Sequence, residues 1–227
     1  MNLLEHYNQL YIKSSKAISE GNYIMDNQIN VASDSRFGIT LLIRPDEEIK
    51  AQIQLFLDEL KEVDSSQYYY PNSDIHITVM SIISCYEGFT LDKIRIEEYI
   101  EIIQKSFLDV EKIRINFKGV TASPSAIMIQ GFPTDESLNI LRDKLRENFK
   151  KTTLQQSIDS RYAIATAHLT VLRFQEKLEN PDKLMAVVEK FRDFDFGEFT
   201  VDKLELVYND WYQRKLNTVH LNTFDLK

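Results

Sequence analysis

Two stretches of the chain carry the same residue types at the same spacing. Tyr70-Pro-Asn-Ser-Asp-Ile-His76-Ile-Thr78-Val79 and Tyr162-Ala-Ile-Ala-Thr-Ala-His168-Leu-Thr170-Val171 both read Y-x5-H-x-T-V. The chain has only 4 histidines, so a doubled match stands above the false-positive level of one short motif. The flanking residues favour strands. In a strand, residues i and i+2 share a face. His76 and Thr78 therefore point one way, with Ile75, Ile77 and Val79 behind them. His168 and Thr170 do the same, backed by Ala167, Leu169 and Val171. If the halves are related by a pseudo-two-fold axis, the two His/Thr pairs face each other across a cleft. Two opposed imidazoles suit general acid–base catalysis, one taking a proton and the other giving one. The threonine hydroxyls can donate hydrogen bonds to phosphate oxygens and stabilise charge there. Nothing in this set calls for a metal or a cofactor.

Other residues are candidates for the same cleft. Tyr70 and Tyr162 stand six positions before each histidine, an even spacing that suits the cleft face, although Pro71 interrupts a regular strand on the first side. Trp211, with Tyr208 and Tyr212, borders a loop and could stack on a nucleobase. Tyr68 to Tyr70 read as an amphipathic edge. Arg173 lies at an odd offset from His168 and faces away from the cleft unless a bulge re-aims it. Arg36, Arg44 and Arg161 flank strands and could bring positive charge. The charges of 135–151 read as a solvated helix face. Cys85 reads as a buried thiol, and His6 and His220 as structural residues.

The elements that would position these groups follow from periodicity. Helices are expected over 3–18, stopped by Gly21, over 46–63, 94–108, 135–149 with Thr134 as N-cap, and 181–191 with Pro181 at its start. Strands are expected over 38–43, 74–83, 112–120, 126–132, 166–174, 199–208 and 218–224. Each half then reads strand, helix, strand, helix, strand, an internal duplication. The fold class is α+β: bilobal, two pseudo-two-fold-related antiparallel sheets flanked by helices, with the two H-x-T strands at a central cleft. Residues 1–35 form an N-terminal helical extension. Residues 36–227 form one bilobal domain, with lobes of roughly 36–121 and 125–227 divided at Thr121-Ala-Ser-Pro-Ser125.

Composition narrows the classes. The 227 residues are 43% hydrophobic and 27% charged, enough for a core and against disorder. The 6 glycines include no G-x-G, which excludes the dinucleotide fingerprint and the phosphate-binding loop built on glycine. One cysteine excludes an internal disulfide and a multi-cysteine zinc site. No apolar run approaches the length of a membrane helix, and the N-terminus does not read as a signal peptide. The formal charge of −8 argues against a broad surface for long duplex nucleic acid, while leaving room for a locally positive cleft. A cytoplasmic monomer is expected.

With its two H-x-T-V segments, the chain resembles the two-histidine phosphoesterase superfamily, which includes 2′-5′ RNA ligase-like proteins and cyclic phosphodiesterases. The resemblance covers about residues 36–226. It implies a bilobal α+β fold with a central cleft. It also implies metal-independent hydrolysis of a small nucleotide or RNA-end phosphodiester, of 2′,3′-cyclic or 2′-5′ type. His76 and His168 would then act as acid and base, in an order the motifs do not give, and Thr78 and Thr170 would hold the phosphate. Residues 1–35 lie outside the pattern and could cover one lobe or narrow the cleft. Two other classes fit paired proton-transfer groups: an acid–base sugar isomerase of the mutarotase or epimerase kind, and a non-catalytic nucleotide-binding module.

Overall fold

The spacing of apolar residues becomes structure most plainly in the second helix, where Ile49, Ile53, Phe56, Leu57 and Leu60 fall on one buried stripe. Burying each such side chain contributes about 1.5–3 kcal/mol. Asp46 caps this helix by accepting from the Ile49 amide at 2.9 Å. The computed structural model describes residues 2–108 and 110–226. In chain order these are α1 (Leu3–Ser19), β1 (Arg36–Ile43), α2 (Glu47–Val63), β2 (Tyr68–Tyr69), β3 (Ile77–Glu87), α3 (Ile96–Ser106), β4 (Ile113–Ser123) and β5 (Ala126–Pro133). There follow α4 (Ser137–Lys150), β6 (Leu169–Arg173), α5 (Pro181–Lys190), β7 (Asp195–Val201), β8 (Lys203–Asp210) and β9 (Val219–Asp225). Gly21 ends α1 as expected: its φ of +75° suits a residue without Cβ.

The strands form two antiparallel sheets, in the orders β3-β1-β8-β9 and β2-β6-β5-β4-β7. Read from the histidine strand outward, β3-β1-β8-β9 corresponds to β6-β5-β4-β7, with β2 added at the edge of the second sheet. The fold class is thus the expected α+β pair of sheets with helices.

The sheets do not follow the expected lobes of 36–121 and 125–227. β4 belongs to the first half of the sequence but lies in the second sheet, whereas β8 and β9 belong to the second half and lie in the first. The reason is the segment read as a divide. Ser123 pairs with Ala126, so Pro124 and Ser125 form the turn of a tight hairpin that keeps β4 beside β5. β8 fills the equivalent slot in the first sheet. The strand expected over 199–208 is likewise two strands. It breaks at Asp202, because β7 pairs with β4 in one sheet and β8 with β1 in the other.

Smaller corrections are local. The first motif strand runs over 77–87, so His76 stands just before it, as His168 stands just before β6. Thr134 does not cap α4: its amide donates to the Arg114 carbonyl in a bent connection, and the helix starts at Ser137, whose amide is met by the Asp135 side chain at 2.8 Å. No helix among the described residues is long and apolar enough to cross a membrane.

The extension packs as a helix on one sheet. Tyr7 and Ile18 of α1 are fully buried, and α1 lies against β4 and α5. Thr121 Oγ1 donates to the Tyr7 carbonyl at 3.0 Å. Thr121 pairs with Met128, and Met128 with Thr170. So α1 covers the face of the second sheet that also carries Thr170.

Candidate active site

Each motif strand contains the same irregularity. In the first, Leu42 pairs with Thr78 and Leu41 with Met80, leaving Val79 as an extra residue. In the second, Met128 pairs with Thr170 and Ile127 with Leu172, leaving Val171 extra. The valine of each H-x-T-V is therefore a β-bulge, and a bulge reverses the alternation beyond it. Residues five past each histidine return to the cleft face. On one side that residue is Ser81, on the other Arg173, and both line the cleft. The odd offset that pointed Arg173 away is overturned by the bulge.

The cleft between the motif strands has a volume of about 200 Å³. His76, Thr78, His168, Thr170, Tyr70, Tyr162 and Trp211 all border it. Both imidazoles sit deep in it. His76 Nδ1 lies 2.7 Å from the Asp74 carbonyl oxygen. A carbonyl only accepts, so this nitrogen carries the proton and Nε2 is left with its lone pair. His168 Nδ1 lies 2.7 Å from Thr166 Oγ1. Desolvation lowers the pKa of each ring to about 4. The nearby positive charges of Arg44 and Arg173 add to this at His76, and those of Arg142 and Arg173 at His168. At pH 7 the cleft therefore holds both rings neutral.

Tyr70 and Arg173 form a unit. Tyr70 is buried, and Arg173 Nε donates to its hydroxyl at 2.9 Å. Arg173 makes no ion pair among the described residues, so its charge is open to a ligand. Tyr162 borders the mouth but is 68% exposed. It lies in the irregular segment between α4 and β6, so its even spacing from His168 does not reflect strand alternation. Trp211 is engaged by two cations: the guanidinium carbons of Arg36 and Arg161 lie 4.8 and 4.3 Å from its ring centroid. Tyr208 and Tyr212 are packing residues; Tyr208 donates to the Phe89 carbonyl and Tyr212 to Asp26. Arg36 pairs with Asp34 and Arg44 with Glu205. Cys85 is buried at the cleft wall, where burial pushes its thiol up to about 12. His220 is exposed and meets Thr223.

One residue departs from the solvated face expected over 135–151. Arg142 of α4 is 1% exposed. Its guanidinium donates to the carbonyls of Val79 at 3.1 Å, Thr78 at 3.1 Å and Thr166 at 2.8 Å. It thus ties the first motif strand to the approach of the second. The signal is present in the sequence. Leu138, Leu141, Arg142, Leu145 and Phe149 form the buried stripe of α4, so Arg142 stands among the core positions.

Among the described residues, the extension contributes no side chain to the cleft lining. It packs on the second sheet and does not itself wall the cleft. Among the described residues, no three His, Cys, Asp or Glu side chains come together in a way that could hold a metal ion.

A model of the 2′-5′ RNA ligase superfamily matches residues 45–212. No curated protein matches the chain. Among solved structures, Escherichia coli LigT complexed with 3′-AMP aligns with a TM-score of 0.57 at 12% identity, covering 85% of this chain and 99% of that one. TT0787 of Thermus thermophilus aligns with a TM-score of 0.56 at 15% identity, covering 83% and 97%. A structure described as a phosphoesterase gives 0.56 at 14% identity, covering 85% and 99%. At such identities the likeness concerns the fold.

Proposed function

The chain belongs to the 2′-5′ RNA ligase superfamily, and from that premise we propose that it is a phosphodiesterase acting on a small nucleotide or RNA end, of 2′,3′-cyclic or 2′-5′ type. The observation that carries this reading is the matched pair of bulged strands, which gather two imidazoles, two threonine hydroxyls and the Arg173 guanidinium around a single small cleft.

The chemistry needs no metal. One imidazole Nε2 takes a proton from water as the water oxygen bonds to phosphorus. The other, protonated, gives its proton to the leaving ribose oxygen as the P–O bond breaks. Thr78, Thr170 and Arg173 hold the non-bridging oxygens and stabilise their growing charge. The anion itself prepares the acid. Both rings are neutral before it binds, and a bound phosphodiester raises the pKa of the nearer one. A cleft of about 200 Å³ admits a phosphate and its sugar, with the base toward Tyr162 and Trp211 at the mouth.

The test is hydrolysis of a panel of 2′,3′-cyclic and 2′-5′ phosphodiesters with EDTA present. Turnover should fall by about 10²–10⁴-fold in His76→Ala and in His168→Ala. A loss below about tenfold (~1.4 kcal/mol) in either variant overturns the assignment of that residue. Tight nucleotide binding without product selects a binding module instead, and turnover of free sugars alone selects an isomerase.

A further inference from the structure

The turn after β8 carries two buried amides that the proposed chemistry does not use. Asn209 and Gln213 flank Trp211 in the sequence, and both line the cleft. They are 2% and 4% exposed. Asn209 Oδ1 and Gln213 Oε1 have no hydrogen-bond partner among the described residues. Buried oxygens of this kind normally find a donor, and one left without it works against folding. The backbone adds to the cost. Gln213 has a φ of +60°, in the left-handed region that residues with a Cβ seldom adopt.

The turn is built to hold this arrangement. The Asp210 carboxylate accepts from the amides of Tyr212 at 3.1 Å and Arg214 at 3.0 Å, from Arg214 Nε at 2.5 Å and from Asn217 Nδ2 at 2.9 Å. Its carbonyl accepts from the Gln213 amide at 3.2 Å and from Asn209 Nδ2 at 2.7 Å. The Lys215 amide donates to the Asp74 side chain at 3.0 Å, and the Asp74 carbonyl meets His76. The turn is thus tied to the segment that orients His76. Strain that so many bonds over-determine, beside a cleft, marks a position held for a ligand.

The missing partner is a donor. Asn209 cannot turn over to offer its nitrogen, because the Asp210 carbonyl only accepts and holds Nδ2. Gln213 Oε1 can swing toward an entering group, since the terminal torsion of its side chain is soft. We propose that Asn209 and Gln213 form a subsite that reads the exocyclic amine of a nucleobase, favouring adenine over hypoxanthine and cytosine over uracil. The amine carries a hydrogen for each oxygen. A keto oxygen in its place would face the fixed Asn209 acceptor. Gln213 lies just beyond the stretch matched by the family. The subsite rests on the reading of the ligand as a nucleotide, but not on turnover.

The experiment is calorimetric binding, to the full chain, of the 3′-monophosphates of adenosine, inosine, cytidine and uridine, with inorganic phosphate as the probe that has no base. Wild type should bind the amine-bearing member of each pair about tenfold or more tightly. In Gln213→Leu, which keeps much of the volume without the hydrogen-bonding groups, each ratio should fall below about threefold. Because Oε1 has no partner to lose, this variant should not lower the melting temperature. Gln213→Gly, which also relieves the left-handed backbone, should raise it and lose the preference as well. It serves if Gln213→Leu does not fold. Equal affinities within each pair in wild type, or unchanged ratios in the variants, overturn the proposal. So does an equal loss for all four nucleotides and for phosphate, which would place Gln213 at the phosphate. A lower melting temperature in both variants would make Gln213 structural and overturns it too. Amine preference without hydrolysis of any cyclic or 2′-5′ ester overturns only the phosphodiesterase reading.

Discussion

A neutral imidazole is a usable base, but a pair of them cannot also supply an acid until something adds a proton. On the proposed reading, the charge of the bound anion does so. Desolvation and the surrounding guanidinium groups hold His76 and His168 at about 4, and an anion between them opposes both effects. Binding of sulfate, which does not itself titrate near neutrality, should therefore draw protons from solution. Calorimetry near pH 6 in buffers of different ionisation heat should show uptake approaching one proton per sulfate. Uptake near zero would mean that neither ring feels the anion. The same lowered values act on stability. Between about pH 6.5 and 4 the unfolded chain binds protons that the folded rings refuse, so stability falls as pH falls through that window. The effect is at most about 3 kcal/mol per ring, and less because the rings border the open cleft. Melting temperature against pH should decline more steeply in wild type than in His76→Gln/His168→Gln. The unequal residues five past each histidine allow a further prediction. Arg173→Lys loses the planar fork and should lower kcat/KM by about 10–100-fold. Ser81→Ala, at the matching position, should change it less than about threefold. Equal effects would remove the asymmetry assigned to Arg173.

Among the elements, what alternation and periodicity govern was legible and what depends on an exception was not. The two motif strands, the helices over 47–63 and 181–190 and the facing His/Thr pairs follow from period-two and period-3.6 patterns. Arg173 did not, because one extra residue at Val171 inverts parity and nothing in H-x-T-V marks which residue bulges. Tyr162 borders the cleft, but not through strand alternation, since its even spacing from His168 spans irregular chain. Arg142 was obscured by the charges around it, although it occupies a core position on α4. Its three carbonyl partners, Thr78, Val79 and Thr166, surround both motif strands, so it fixes the bulge at Val79 and the approach to His168 together. Lysine in its place keeps the charge but cannot reach three carbonyls from one point. Arg142→Lys should cost about 2–4 kcal/mol, or roughly 10 °C in melting temperature for a chain of this size. It should also lower turnover at temperatures where the variant is folded. A melting temperature within about 2 °C of wild type would show that the cross-tie contributes little.

For the molecule as a whole, the exchange of strands between the halves decides how it folds. The first sheet needs β1 and β3 from one end of the sequence and β8 and β9 from the other. The second needs β4 from the first half between β5 and β7 of the second. A chain cut at the Pro124–Ser125 turn leaves the first fragment without the inner strand β8 and the second fragment without the inner strand β4. Each would expose unpaired backbone and the apolar face that the missing strand covers. The strap from α1 to β1 adds a further tie. The Asp26 amide donates to the Phe174 carbonyl beside the second sheet, and its carboxylate accepts from Tyr212 beside the first. The duplication legible in the sequence is thus not a pair of independent lobes. Unfolding should be one cooperative transition, with far-ultraviolet circular dichroism and the fluorescence of Trp211 giving coincident denaturant curves. Fragments 1–124 and 125–227 should each be unfolded alone and should regain structure when mixed. A fragment that melts cooperatively by itself, or two separated transitions in the intact chain, would show that the exchanged strands are not what binds the halves into one folding unit.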